Sequence, residues 1–357
     1  MAARDPIADL RRIAFLLERA NEATYRVRAF RTAAATLAGL PAAELATRAA
    51  AGTLTELPGV GEVTARSVVE SLRGEEPVYL RRLLATEWVD LDEAAAALRA
   101  ALRGDCHTHS DWSDGGSSIE EMALAAAELG HEYVALTDHS PRLKVARGLT
   151  ATRLRQQLDQ VAVINAALPE GFRILTGIEV DILDDGSLDQ DPELLARLDV
   201  VVGSVHSNLR DDRRRMTRRM LTAIANPHLD ILGHCTGRMV AARPPGVTGP
   251  GDRGHRARTR PESEFDAEAV FAACAEHGKA VEINSRPERQ DPPKRLIRLA
   301  VEIGCRFAID TDAHAPGQLD WQRYGCERAA RCGVPVDRVV NTWPAERLLD
   351  WTASHAP

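Results

Sequence analysis

Lysine is almost missing from this chain of 357 residues: only Lys144, Lys279 and Lys294 occur. With so many alanines beside it, the arginine bias reads as GC-rich coding and carries no function by itself. No two of the six cysteines (Cys106, Cys235, Cys274, Cys305, Cys326, Cys332) stand at CxxC spacing. Neither a zinc ribbon nor a disulfide framework is therefore indicated. No apolar run reaches the length that spans a bilayer, and the opening MAARDPIADL lacks a signal-peptide core. A cytoplasmic protein with no membrane partner is the expectation. No Ser-His-Asp or Cys-His set appears, which argues against acyl chemistry.

What is present fits a soluble two-domain protein, with 44% hydrophobic and 27% charged residues. The net charge of −7 argues against a simple polyanion binder, but its distribution matters more than its sum. Arginines and acids balance over residues 1–103, so the whole deficit lies in the remainder. An acidic surplus there is what a polynuclear cation site produces, as ordinary surface acids also do.

The first third has helical periodicity. Ile7, Leu10, Ile13 and Leu17 recur at helical spacing, as do Phe30, Ala33, Ala34 and Leu37 before Gly39 and Pro41. Residues 54–74, LTELPGVGEVTARSVVESLRG, read as a helix-hairpin-helix, with Pro58-Gly59-Val60-Gly61 as the turn. A tight turn between packed helices is the plain reading. The apolar flanks and helix-rich neighbourhood favour a second one: Gly59, Val60 and Gly61 let backbone amides approach a DNA phosphate.

After an alanine-rich helix at Leu91–Leu102, seven short β-type runs follow: GDCHTHS, YVALTDHS, ILTGIEVDIL, LDVVVGSVHS, LDILGHCTG, AVEINSR and CRFAIDTDAHA. Helical segments separate most of them, which predicts a parallel α/β barrel. Residues 1–95 form the helical domain on this reading, and 104–350 the barrel domain. The segment Ala242–Pro261, with Arg243, Arg253, Arg256, Arg258 and Arg260, reads as a long loop able to add an electrostatic grip on DNA.

Ligand-competent side chains fall at the strand ends. His107 and His109 end the first run, His139 the second, Glu179 the third, His206 the fourth and His234 the fifth. Asp312 and His314 end the seventh, and Asp114 lies in the loop after the first. Strand ends of a parallel barrel open on one face. Residues two apart share a side of the strand, so His107 and His109 point together, away from Cys106 and Thr108. Mixed imidazole and carboxylate sets suit zinc, manganese or iron. Asp138 and Asp181, beside ligands, are expected to orient them. His131, His228, His255, His277 and His355 read as surface residues, and Cys235 as turned away from the site.

HTH…SDG, TDH, the Glu of GIEVD, SVHS, GHCTGR and DTDAH together resemble the PHP superfamily, named for polymerase and histidinol phosphatase. The nearest likeness is to the PHP portion of bacterial family X DNA polymerases, extending to EINSRPERQD. That group carries a proline where Cys235 stands. Residues 1–90 are similar to the helix-hairpin-helix region that opens those polymerases. The resemblance implies a distorted (β/α)7 PHP barrel and a metal-dependent phosphoesterase with two or three divalent ions (Mn²⁺, Zn²⁺ or Fe²⁺). It implies that His107, His109, Glu179 and Asp312 hold one metal and that Asp114, His139 and His314 hold a second. Glu179 with His206 and His234 would hold a third. Catalytic roles would fall to Glu179, Asp312 and His314.

Arg238, Arg286 and Arg289 follow the fifth and sixth strands and are candidates to fork onto substrate phosphate. Between helical region and barrel there is no room for a polymerase palm and fingers, so polymerase activity is not expected. The lyase chemistry found in such N-terminal regions needs a lysine, and residues 1–103 contain none. The expected activity is hydrolysis of DNA phosphodiesters, as a 3′–5′ exonuclease or AP-site nuclease in DNA repair or processing. The alternative is a phosphomonoesterase of the histidinol-phosphatase type, acting on a phosphorylated small molecule. A non-catalytic DNA-binding module is a third reading, disfavoured by the complete ligand set.

Overall fold

The structure, a computed structural model, describes residues 4–85, 91–241 and 259–355. The chain divides into two compact units between Asp90 and Leu91. The first holds α1 (Pro6–Arg19), α2 (Thr24–Ala38), α3 (Ala42–Ala51), α4 (Glu62–Leu72) and α5 (Val78–Leu84). Asp5 starts α1 by accepting from the Ile7 amide at 2.8 Å, with Pro6 in the first turn, where its missing N–H costs nothing. Leu10, Ile13, Ala14 and Leu17 of α1 are buried, as are Phe30, Ala33, Ala34 and Leu37 of α2. That is the stripe the spacing predicts. Buried Asp9 accepts from Ser71 Oγ at 2.7 Å and so ties α1 to α4.

Between α3 and α4 the chain makes a short 3₁₀ turn at Leu54–Glu56 and then the glycine hairpin. Gly59 sits at φ +76°, and a Cβ there would lie 2.3 Å from Thr32 Cγ2. Both conformation and space therefore require glycine at this position.

The second unit opens with α6 (Glu93–Ala101), capped by Asp92 on the Ala95 amide at 2.9 Å. This helix belongs with the barrel, so the boundary falls before residue 91 rather than at 95. The unit then runs β1 (Gly104–Thr108), α7 (Ile119–Glu128), β2 (Tyr133–Leu136), α8 (Ala151–Asn165) and β3 (Arg173–Asp181). After these come α9 (Pro192–Leu195), β4 (Val200–Ser204), α10 (Arg213–Ile224) and β5 (Ile231–Leu232). The last part is α11 (Ala267–Glu276), β6 (Ala280–Asn284), α12 (Lys294–Ile303), β7 (Arg306–Asp310), α13 (Gln322–Arg331) and α14 (Ala345–Ala353).

All seven strands pair in parallel, in sequence order. A bridge from Thr108 to Ala313 brings the two edges together into a nearly closed barrel. Side chains alternate between two environments. Ala135, Leu175, Val202, Ile231 and Ala308 fill the interior with Trp343, Leu348 and Trp351 from the C-terminal segment. Ile178, Val180, Leu232, Val281 and Ile309 face the helices instead, together with Cys235.

The first strand departs from simple alternation. Its pairing with β2 slips by one residue between Asp105 and Thr108. Cys106 packs in the interior cluster, and His107 also reaches inward to Glu282 and Glu179. An extra residue at this bulge re-aims the strand, so Cys106 does not point away from the histidines' side.

Two further expectations change. His131 is buried rather than on the surface, and the side chain of His355 is covered as it pairs with Asp230 at 2.7 Å. Arg243, Arg253, Arg256 and Arg258 of the expected loop lie outside the described residues, while Arg260 donates to the Gly237 carbonyl. Among the described residues no helix is long and apolar enough to cross a membrane.

Candidate metal centre

Glu179 stands near the C-terminal end of β3 and is 1% exposed. Five imidazoles converge on its carboxylate. His234 Nε2 lies 2.9 Å and His206 Nε2 3.3 Å from Oε1. His139 Nδ1 lies 2.8 Å, His107 Nε2 3.4 Å and His109 Nε2 3.6 Å from Oε2. Burial opposes the charge on Glu179, yet His107, His206 and His139 hold it well below the usual carboxylate range.

A second carboxylate, Asp312, follows β7 with φ +53°, a conformation uncommon for a residue other than glycine. Its Oδ1 lies 3.4 Å from His109 Nε2. Arg289 Nε approaches Oδ2 at 3.0 Å, and Asn284 Nδ2 donates to the same oxygen at 3.2 Å. Burial again opposes charge, and Arg286, Arg289 and His109 together keep Asp312 well below its ordinary value. Both carboxylates thus stay anionic in a dry setting, as cation ligands must.

Asp114 completes the constellation from the loop after β1. Its Oδ1 lies 3.3 Å from His314 Nε2 and 3.5 Å from His139 Nε2. The loop returns to the barrel mouth because Gly115 donates to the Ser110 carbonyl at 2.9 Å and Gly116 to that of His314 at 2.7 Å. A Cβ on Gly115 would fall 2.6 Å from the Ser110 backbone, so only glycine permits this return. Asp138 serves the same loop. It accepts from the Ser110 amide at 2.8 Å, from Ser110 Oγ at 2.6 Å, from Ser113 Oγ and from Gln157 at 2.6 Å. It braces the loop and, contrary to expectation, makes no hydrogen bond to an imidazole among the described residues.

Three overlapping sets bring ligand atoms within 4.8 Å of one another: His109, Asp114, His139 and His314; His107, His109 and Asp312; and His139, Glu179 and His206. The ring nitrogens His107 Nε2, His109 Nε2 and His206 Nε2, and Glu179 Oε2, are buried without a hydrogen-bond partner. Buried polar atoms left unpaired are costly, and here they converge on shared points. The donor set therefore fits divalent metal ions. His109 and His139 each belong to two of the sets; His234 belongs to none and lies against Glu179.

Further carboxylates orient the rings. Asp181 holds His206 Nδ1, leaving Nε2 toward Glu179. Glu282 does the same for His107 Nδ1 at 2.6 Å and also accepts the His234 amide. Sequence reading missed Glu282. Its signal was an acid in the middle of the apolar run AVEIN, which only a buried partner explains.

The three arginines divide. Arg286 Nη1 donates to the Asp312 carbonyl and approaches His314 Nδ1, each at 3.0 Å. Arg289 pairs with Asp312, while its Nη1 is buried without a partner. Arg238 instead donates Nε to the Arg289 carbonyl at 3.2 Å and Nη2 to that of Gln290. It braces the segment that carries Arg289 and offers no free fork. In the hairpin of the first unit, the Val60 amide donates to Leu57 at 3.2 Å and the Gly61 amide to Thr64 Oγ1 at 3.0 Å. The donors left at that tip include the first helical amides of α4, from Glu62 to Thr64.

Comparison with known proteins matches the PHP domain to residues 105–286 and a helix-hairpin-helix domain to residues 1–76. The DNA polymerase/3′-5′ exonuclease PolX of Bacillus subtilis (strain 168) is 39% identical over 240 residues, 67% of this chain. This chain spans only 39% of that polymerase's length. A probable phosphatase of Thermoanaerobacter sp. (strain X514) is 30% identical over 249 residues, 67% of this chain and 89% of the phosphatase. A histidinol phosphate phosphatase structure from Lactococcus lactis shares 17% identity at a TM-score of 0.44, over 65% of this chain and 94% of the other.

Proposed function

The chain belongs to the PHP family of metal-dependent phosphoesterases, and we propose that the ester it hydrolyses is a DNA phosphodiester. The reading rests on one observation: the same chain carries a helix-hairpin-helix domain over residues 1–76 and the barrel that follows it. A hairpin of this kind grips backbone phosphates without reading sequence, which suits an exonuclease or an AP-site nuclease. The name of the B. subtilis relative, a polymerase and 3′-5′ exonuclease, points the same way.

His107, His109, Glu179 and Asp312 would hold one metal. Asp114, His139 and His314 would hold a second, and Glu179 with His206 and His234 a third. Manganese, zinc or iron in these positions would supply Lewis-acid polarisation of a phosphoryl oxygen and a water nucleophile at neutral pH. The chain's own residues do the rest. Glu282 and Asp181 fix the rings of His107 and His206, so their other nitrogens would be free to hold the ions. Arg289, with Nη1 buried and unpaired beside Asp312, offers a donor to a phosphate oxygen, and Arg286 stands on the other side of the same carboxylate.

The test is trimming of 3′-end-labelled DNA with Mn²⁺ in the full chain, with Glu179→Ala as control. Absence of trimming in protein that turns over phosphomonoesters would sink the reading. A second reading has its own support: a relative named as a probable phosphatase matches 89% of its length to this chain. Rapid turnover of a small phosphomonoester by protein that does not trim labelled DNA would favour it.

A further inference from the structure

At the opposite end of the barrel from the metal ligands lies a cavity of about 360 Å³, lined by Lys279, Arg306, Asp337, Arg338 and Arg347 among others. Lys279 directly precedes β6 and Arg306 begins β7, whereas the candidate ligands follow the other ends of the strands. Five-residue strands separate the two places by roughly 16 Å.

Four cations and one acid make an unusual wall in a chain of net charge −7. None of the four cations forms an ion pair with a described residue. Arg306 Nη1 donates to the Gly278 carbonyl at 3.3 Å and Arg338 Nη1 to that of Val301 at 3.0 Å. Arg347 lies over the Trp343 ring at 4.3 Å. Each arginine is thus held in place by a neutral group, with its charge uncancelled.

Lys279 is the most telling of them. It is 3% exposed as a residue and lines the cavity, and its ammonium makes no hydrogen bond or ion pair with a described residue. Asp230, an acid whose charge acts on it, is engaged by His355 at 2.7 Å and by the Val201 amide at 2.8 Å. Burial pushes the Lys279 ammonium down to about 8. A cation so largely taken out of water is stabilised by an anion that enters the cavity beside it.

We propose that this cavity binds a small phosphate-bearing anion at a site separate from the metal centre. Its size and concavity suit inorganic phosphate or a compact phosphomonoester. A duplex, by contrast, would touch only the exposed rim. Trp343 is covered by Arg347 and buried, so the cavity offers the phosphate group its donors but no ring for a base to stack on. The phosphate would sit among the three guanidinium groups, which provide the hydrogen bonds, and Lys279, which provides charge from beneath.

The experiment is a calorimetric titration of the full, metal-loaded protein with inorganic phosphate, and separately with adenosine 5′-monophosphate. Two classes of phosphate site are expected in the wild type. Arg306→Gln/Arg338→Gln should weaken one class tenfold or more, with hydrolytic turnover retained. Arg289→Gln should leave that class intact. Binding of the nucleotide to the same class identifies a monoester as the occupant, and binding of inorganic phosphate alone identifies the free ion. Should the double variant fold poorly, Arg306→Gln alone, on an exposed side chain, must still weaken that class. Titrations indistinguishable between wild type and variant would overturn the proposal. So would an oligonucleotide that displaces phosphate from this class, since the surface would then be a DNA track.

Discussion

Glu282 touches no position where an ion would sit, yet two of the proposed ligands depend on it. Its carboxylate holds His107 Nδ1 at 2.6 Å and the backbone amide of His234. Outer partners of this kind are worth about 10–100-fold in metal affinity. Glu282→Gln should therefore lose metal by that factor, read by metal content after dialysis against a graded chelator. Unchanged metal retention would show that packing alone fixes the His107 ring. A second residue-scale prediction concerns His131, which is buried and pushed down to about 3, first by burial and then by Arg99. The folded state keeps this ring neutral while the unfolded chain protonates it near 6.5, so the contribution is intact above that pH. It falls by about 1.4 kcal/mol per pH unit on acidification from 6.5 toward 3. Denaturant titrations of wild type and His131→Phe between pH 7 and 4.5 should diverge in slope by about one proton. Parallel slopes would mean that the ring is hydrated.

Among the elements, the hairpin between α3 and α4 and the strand β1 carry the most information. Gly59 combines φ +76° with a Cβ position 2.3 Å from Thr32 Cγ2. Gly59→Val should cost the helical unit about 1–3 kcal/mol through conformation and contact together. It should also weaken DNA binding while leaving phosphomonoester turnover unchanged. DNA affinity equal to wild type would remove the hairpin from the proposed grip. In β1, the one-residue slip between Asp105 and Thr108 decides which way HTH faces. The separation of two between the histidines correctly gave them a common direction. That Cys106 also turns inward was not legible, because a bulge depends on how β2 pairs with β1 and not on β1 alone.

At the scale of the whole molecule, five imidazoles about one buried carboxylate make the barrel's stability depend on what fills the centre. Ligands that bind only the folded state stabilise it by mass action. Chelation should lower the melting temperature by several degrees, and Mn²⁺ or Zn²⁺ should restore it; an unchanged transition would argue against a loaded centre. If the substrate is DNA, its apparent affinity must also fall steeply between 50 and 200 mM salt as counterions compete. Turnover of a neutral-bodied phosphomonoester should change far less.

The seven strand runs, the barrel class and the convergence of His107, His109, His139, Glu179 and Asp312 followed from the sequence by itself. Repeated βα units leave few topologies open, and parallel strands end on one face. The tertiary structure alone decided which groups are left over. It spent Arg238 on backbone carbonyls, left Arg289 Nη1 unpaired, buried Glu282 against His107 and set Lys279 in the wall of a cavity. Those outcomes depend on distances between residues far apart in sequence, and periodicity along one strand contains no such distances.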